Sequence, residues 1–298
     1  MAASQDTKTY VKAEFRVPAA MADEAAGILA ARGALGCAAQ WTHAARRSGA
    51  TTIALQAFFT HLSATELKAH RIALKDAGML APSPPPSAPV KLVDPGWAAM
   101  WKRRFKPLRI GRKLLIVPPW QSAEATGRLS IIIEPGQGFG TGHHATTRST
   151  LMALETQCAR RTFQSALDVG CGSGILALAM ARLGVGRIAA LDNDPNALDN
   201  ARHNAELNGL AHAIRFSRAP LRALRRSFGL ITANILSSTL IAMAPELVRL
   251  LAPGGRLILS GILAREAAGV IAHYAPPLRR VWSRTERGWT TLVLARPH

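Results

Sequence analysis

A glycine-rich turn between a short apolar strand and an apolar helix constrains this chain more than any other feature. Ala166-Leu-Asp-Val169 has the length and character of a buried strand. Gly170-Cys-Gly-Ser-Gly174 follows, and Ile175–Leu183 reads as a helix closed by Gly184. Arg187–Leu191 is a second strand that ends in Asp192. Asp194 and Pro195 then supply a cap and a first helical residue for Asn196–Asn208, closed by Gly209. This is a βαβ unit. It commits the chain to an open α/β sheet and puts the turn at the carboxyl end of a strand, where such sheets bind ligands.

The residue types in the turn fit one class of ligand. Glycines let the backbone pass close to a bound molecule, and the amides at a helix start point toward it. Asp192 stands 22 residues after Gly170. A carboxylate at the end of the second strand can accept hydrogen bonds from both hydroxyls of a ribose. The pair describes a site for an adenosine-containing ligand. A dinucleotide fingerprint wants G-x-G-x-x-G, but Ile175 occupies the slot of its third glycine; G-x-G-x-G is the spacing common in S-adenosylmethionine sites. No Gly-Lys-Ser/Thr follows, which excludes a Walker loop.

Two other segments converge on this crevice. Upstream, Ile131-Ile-Ile-Glu-Pro-Gly-Gln-Gly-Phe-Gly-Thr-Gly-His-His-Ala-Thr-Thr147 is a lead-in loop before an apolar helix starting near Arg148. Such a loop can fold over a ligand and cap a helix with threonine hydroxyls. His143 and His144 lack a carboxylate or thiol partner at ligand spacing, so no metal is expected. Downstream, Leu230-Ile-Thr-Ala-Asn234 is a buried-strand pattern whose terminal Asn points into the crevice.

The remaining chain divides by composition. Among 298 residues, 48% are hydrophobic and 18% charged, enough apolar surface for two ordinary domains and incompatible with disorder throughout. Five prolines in Ala81–Pro89 favour an extended spacer, so the main boundary is expected there. Residues 1–80 read as an α+β domain of ferredoxin-like type: strands at Thr9–Pro18 and Thr51–Phe59, helices at Ala19–Arg32 and Ala64–Ala77. His43, His61 and His70 are scattered and expected on the surface or in the core. Residues 91–130 form a basic connecting segment with nine basic and two acidic side chains, including a helix near Trp97–Phe105 and a strand at Leu114–Val117. Residues 131–298 form the ligand-binding domain. It closes with a helix at Thr239–Leu251, a turn at Pro253–Gly255, a strand at Arg256–Leu259, a helix near Arg265–Tyr274, and a hairpin turning at Arg287-Gly288.

Residues 94–263 resemble the ribosomal protein L11 methyltransferase family. The resemblance rests on Trp97…Trp101…Phe105-x-Pro107 running to Pro119-Trp120, on Pro135–Thr147, on Asp168–Ala177, and on Ala233-Asn-Ile-Leu236 with Leu259–Leu263. It implies a seven-stranded, doubly wound class I methyltransferase domain, Rossmann-like, beside the smaller N-terminal α+β domain. It implies that Thr147, Gly170, Asp192 and Asn234 bind S-adenosylmethionine, with Thr146, Gly172 and Gly174 as neighbours. It implies a substrate-recognition role for residues 1–80, carried on the linker at 81–90, and methyl transfer to lysine or N-terminal amines of a large-subunit ribosomal protein. Glu134, Gly138 and Ala145 depart from the family's usual Asp, Ala and Pro. The expected setting is a cytoplasmic monomer that uses S-adenosylmethionine and no metal. It would meet its substrate protein either free or on the assembled subunit beside ribosomal RNA, with no membrane.

Charge keeps other readings open. Lys and Arg total 37 against 18 Asp and Glu, a net +19. That balance favours a polyanionic partner. An RNA methyltransferase is the competing enzyme, supported by Arg215, Arg218, Arg222, Arg225 and Arg226. A non-catalytic module of the same fold is the third reading. By analogy with other methyltransferases, where Asn-Pro-Pro-Tyr at this place accompanies amide or exocyclic amino targets, the Ile-Leu-Ser that follows Asn234 implies a flexible amine over a planar amide or adenine target.

Overall fold

A computed structural model describes residues 9–40, 52–81, 89–93, 106–121, 127–134, 142 and 144–298. The helix expected at Trp97–Phe105, His43, His143 and most of the proline-rich stretch lie outside these residues. The chain forms two compact units, residues 1–105 and 106–298.

The first unit runs β1 (Thr9–Pro18), α1 (Ala22–Ala31), β2 (Gly36–Gln40), β3 (Thr52–Phe59), α2 (Ala64–Asp76) and β4 (Val90–Val93). Its sheet has the order β2-β3-β1-β4 with every neighbour antiparallel, the split βαβ arrangement of a ferredoxin-like sandwich. Phe15, Leu29, Leu55 and Leu74 fill its core. Ser63 and Glu66 start α2 with a capping box: the Ser63 hydroxyl accepts the Glu66 amide at 3.2 Å, and the Glu66 carboxylate accepts the Ser63 amide at 2.7 Å. His70 is buried and stacked on Phe59, while His61 is exposed. β4 follows the proline-rich stretch yet pairs with β1. That stretch therefore connects two elements of one sheet, and the boundary between units falls after Phe105 rather than at residues 81–90. Four backbone pairings between Thr9–Lys12 and Val90–Val93 hold β4 to the N-terminal side of that boundary.

The second unit opens with a small sheet of β5 (Leu108–Ile110), β6 (Leu114–Val117) and β7 (Leu129–Ile132). The Arg128 guanidinium ties it together by donating to the carbonyls of Ile110, Gly111 and Leu114. α3 (Ala145–Arg160) then leads into β8 (Ser165–Val169), α4 (Ile175–Arg182), β9 (Arg187–Leu191), α5 (Pro195–Leu207) and β10 (Ile214–Ser217). β11 (Phe228–Asn234), α6 (Ser237–Leu250), β12 (Leu251–Leu263), α7 (Ala267–Tyr274), β13 (Arg279–Glu286) and β14 (Trp289–Ala295) complete it. The large sheet has the order β10-β9-β8-β11-β12-β14-β13. β14 runs antiparallel to both its neighbours, β12 and β13, as the terminal hairpin implied.

Strand alternation builds two apolar layers. Ala166, Leu230, Ile258 and Val293 face one cluster, shared with α3, α4 and α5. Leu167, Ile231, Leu257 and Leu292 face the other, shared with α6 and α7. Helices on both faces are what a mostly parallel sheet requires. The turn expected at Pro253–Gly255 is instead a bulge inside β12: Phe228 pairs with Leu251, but Leu230 pairs with Arg256. Among the described residues no helix is long and apolar enough to cross a membrane.

Candidate functional site

The order β9-β8-β11 puts the ends of three strands side by side, with the glycine turn in the middle. Asp192, just past β9, stands on one side of that turn and Asn234, the last residue of β11, on the other. The Gly170 and Cys171 amides donate to the Leu191 carbonyl at 2.8 and 3.0 Å, fixing the turn to β9. Gly170, Gly172 and Gly174 have φ of 69°, 52° and 78°, the left-handed region that other residues rarely enter. A Cβ on Gly170 would lie 2.6 Å from Ile235 Cγ2, so the turn is held both by conformation and by contact. Gly170→Ala is expected to lower stability by about 2–3 kcal/mol, adding overlap to left-handed strain. Gly184→Ala, at φ 83° in open space, should cost only about 1 kcal/mol. Denaturant unfolding of the two variants side by side checks this; equal losses would remove the contact with Ile235 as a cause.

Asp192 organises the turn through both carboxylate oxygens. Oδ2 accepts the Gly172 amide at 2.9 Å and Oδ1 accepts the Asp194 amide at 3.0 Å. Each oxygen retains a second lone pair, which is what two vicinal hydroxyls need. Asp194 in turn caps α5 by accepting the Asn196 amide at 2.9 Å, with Pro195 in the first turn.

The N-terminus of α3 reaches the same edge. His144 is its cap: Nδ1 accepts the Thr146 amide at 3.3 Å and lies 2.7 Å from Thr146 Oγ1. Its ring packs edge-on against Trp289, centroids 5.2 Å apart, so the final hairpin braces the start of this helix. Thr146 and Thr147 are buried, and Asn234 Nδ2 donates to Thr147 Oγ1 at 3.4 Å. The structure thus gathers Gly170, Gly172, Gly174 and Asp192 into one hydrogen-bonded cluster, and Thr146, Thr147 and Asn234 into a second at the same sheet edge.

Three residues were not singled out from the sequence as parts of this site. Asn204 Oδ1 accepts the Glu134 amide and its Nδ2 donates to the Ser173 carbonyl, both at 2.9 Å. Asn208 Oδ1 accepts the Ile132 amide at 2.9 Å, and its Nδ2 donates to the Ile132 carbonyl at 2.6 Å, as a neighbouring strand would. Asn204 fastens Glu134 to the glycine turn, and Asn208 fastens Ile132 to the end of α5. Their signal was Asn200, Asn204 and Asn208 at four-residue spacing, three poor helix formers on one helix face. The third residue is Asp168, fully buried on the α4 side of the sheet. Oδ1 accepts the Thr232 hydroxyl at 2.7 Å, while Oδ2 is buried with no hydrogen-bond partner among the described residues. Burial pushes this carboxyl up to about 7, with a smaller push from Asp192, against the Thr232 hydroxyl and the Ala177 amide. Burial, with Asp168 and Asp192 nearby, also raises the Cys171 thiol, which makes it a poor nucleophile.

These residues fit S-adenosylmethionine. A glycine cradle admits close approach, the Asp192 oxygens have acceptor capacity for a ribose, and the orphaned oxygen of Asp168 suits a ligand that carries a cationic group. Among the described residues no group of three or more His, Cys, Asp or Glu side chains could hold a metal ion.

Comparison with known proteins reaches the same region and extends it. The family model described as ribosomal protein L11 methyltransferase (PrmA) matches residues 9–297, taking in the N-terminal unit that the motif resemblance did not cover. A ribosomal protein L11 methyltransferase of Cupriavidus metallidurans is 42% identical over 214 residues, 72% of this chain and 68% of that protein. One from Pelobacter propionicus is 41% identical over 231 residues, covering 76% and 74%. The crystal structure of a ribosomal protein L11 methylase from Lactobacillus delbrueckii subsp. bulgaricus aligns with a TM-score of 0.59 at 29% identity, over 65% of this chain and 99% of that one.

Proposed function

The chain belongs to the ribosomal protein L11 methyltransferase family, and from that membership we infer that it methylates a protein of the large ribosomal subunit with S-adenosylmethionine as methyl donor. The acceptors we assign are amines: lysine side chains, the N-terminal amine, or both. The observation that carries this reading is the placement of Asp192 and Asn234 on either side of the glycine turn, at the ends of the two strands that flank β8.

S-adenosylmethionine, when bound, supplies an electrophilic methyl on a sulfonium centre. The chain's contribution is alignment and partial exclusion of water. Asp192 holds hydroxyls through the lone pairs its two backbone contacts leave over. The positive-φ turn lets the backbone approach, and the N-terminus of α4 offers its amides. With Nδ2 spent on Thr147, Asn234 retains its carbonyl oxygen to accept from an N–H at the strand end. The next residues are Ile235 and Leu236, and Leu236 is 57% exposed. An exposed aliphatic surface there suits the methylene stem of a lysine. The three residues after Asn234, Ile235, Leu236 and Ser237, include no aromatic ring to stack on a planar amide or base. His144 acts by capping α3 and so holding Thr146 and Thr147 in place.

We assign presentation of the substrate protein to the N-terminal α+β unit, which the family match includes. The basic residues of 91–130 are assigned to docking beside ribosomal RNA. Mass spectrometry of the purified ribosomal protein after incubation with enzyme and S-adenosylmethionine tests the reading. Methyl increments on lysines or the N-terminus are expected. An unmodified protein, with methyl label entering ribosomal RNA instead, would overturn it.

A further inference from the structure

Five arginines sit on one short segment that the methyltransferase reading leaves unused. Arg215, Arg218, Arg222, Arg225 and Arg226 are all exposed. From Glu206 to Glu246 the chain contains no other acidic residue. None of the five side chains has a hydrogen bond or ion pair among the described residues. Like charges this close repel one another, so an unpaired cluster is a cost unless something anionic covers it.

The backbone beneath them is held in place. Arg215 lies on β10, the edge strand of the large sheet. The Ser217 hydroxyl accepts the Ala219 amide at 3.0 Å. Leu221 is buried and Leu224 packs against the α6 side of the core, so the arginines between and after them turn outward. Arg249, on α6, clamps the turn by donating to the carbonyls of Leu221 and Leu224 at 3.0 and 3.1 Å, and is itself held by Glu246 at 2.8 Å. The platform begins at the ligand edge of the sheet, where the Ser217 carbonyl accepts the Asp192 amide. An open groove of about 350 Å³ between α5 and β10, lined by Arg202, Glu206, Arg215 and Phe216 among others, adjoins it.

We propose that this platform binds the phosphate backbone of RNA. Guanidinium forks match phosphate oxygens in pairs, and a row of them on a pinned turn needs little ordering on contact. An acidic protein partner fits less well. Protein interfaces are built around buried apolar or aromatic anchors, and here the leucines of the segment face inward. The preference for a polyphosphate comes from this surface alone; the choice of RNA over DNA rests on the proposed ribosomal substrate.

The test is fluorescence anisotropy of a labelled RNA hairpin of about 20 nucleotides with the full chain, without cofactor or protein substrate, at about 50 to 300 mM salt. Wild type should bind with an affinity that falls steeply with salt. Changing Arg218, Arg222, Arg225 and Arg226 together to Gln should reduce the slope of log K against log salt by about 3 and weaken binding about 100-fold at low salt, since each phosphate contact contributes about 0.7–0.9 to that slope. The same four changed to Lys should keep most of the slope. A control triple variant on the opposite edge strand, Arg279→Gln with Arg280→Gln and Arg284→Gln, should change affinity by less than about threefold. Equal loss in the control, wild-type binding by the quadruple Gln variant, or a preference above about tenfold for a DNA hairpin of the same length would each overturn the proposal. If the quadruple variant fails to fold, single Arg222→Gln and Arg225→Gln variants must each lower the slope by about 1. Methylation of the free ribosomal protein should persist in the Gln variants. Lost RNA binding with retained methylation thus separates this surface from the catalytic reading.

Discussion

Asp192→Ala is expected to bind S-adenosylmethionine about 100-fold more weakly than wild type, or worse, by isothermal titration. The carboxylate has two duties. It fixes the turn by accepting the Gly172 and Asp194 amides, and its remaining lone pairs are the acceptors for a ribose. Hydrogen bonds to a charged group contribute about 1.5–3 kcal/mol each, so losing two to the ligand costs about 3–6 kcal/mol, a factor of about 10² to 10⁴ in affinity. Fold stability should suffer less, by about 1–2 kcal/mol, because the two freed amides lie where water can reach them. Asp192→Asn separates the duties. It keeps the shape and one acceptor oxygen, but turns an NH₂ toward a backbone amide, so an intermediate affinity is expected. Unchanged affinity in the Ala variant would refute the ribose assignment.

The βαβ core of this site was legible because its signals are local. Positive-φ glycines, an Asp-Pro helix start and an apolar strand are each written within a few residues, and Gly170–Gly174, Asp192 and Asp194 stand where their spacing implies. The reversed last strand was legible for the same reason, through Arg287-Gly288, both at positive φ in a two-residue hairpin turn. Features set by distant partners stayed hidden. Asn204 and Asn208 act on residues 70 and 76 positions away, and side-chain amides that imitate a strand leave no periodic trace. The proline-rich stretch misled because its composition reports an extended chain but not the strand beyond it. Val90–Val93 is too short to read as a strand without β1 beside it. Pro253–Gly255 carries turn residues in earnest, but the flanking apolar runs pair with β11 on both sides and absorb the turn as a bulge.

Asp168 is where stability and function pull in opposite directions, and pH should expose it. Its sequence position, two residues before the turn, looked like part of a strand, and by alternation it faces the apolar layer against α4. Burial holds the folded carboxyl near 7, whereas an unfolded Asp titrates near 3.8. Below about pH 4 both states are protonated and the group contributes nothing to the difference. Between about 4 and 7 the unfolded chain has lost the proton that the folded chain retains, so stability falls as pH rises; above about 7 the loss levels off at up to about 4 kcal/mol. Asp168→Asn removes the titration while keeping the Thr232 contact. Thermal unfolding should show the variant matching wild type near pH 4 and exceeding it by a few kcal/mol at pH 8. A gap that closes as pH rises would mean the folded carboxyl is ionised throughout. A destabilising acid with an orphaned oxygen beside the glycine turn makes sense if its charge is used on a cationic ligand. Affinity for S-adenosylmethionine should therefore drop in Asp168→Asn even as the fold gains stability. Wild-type affinity should fall toward tenfold per pH unit below about 7, where the proton must first leave, while the variant's affinity stays flat across the same range.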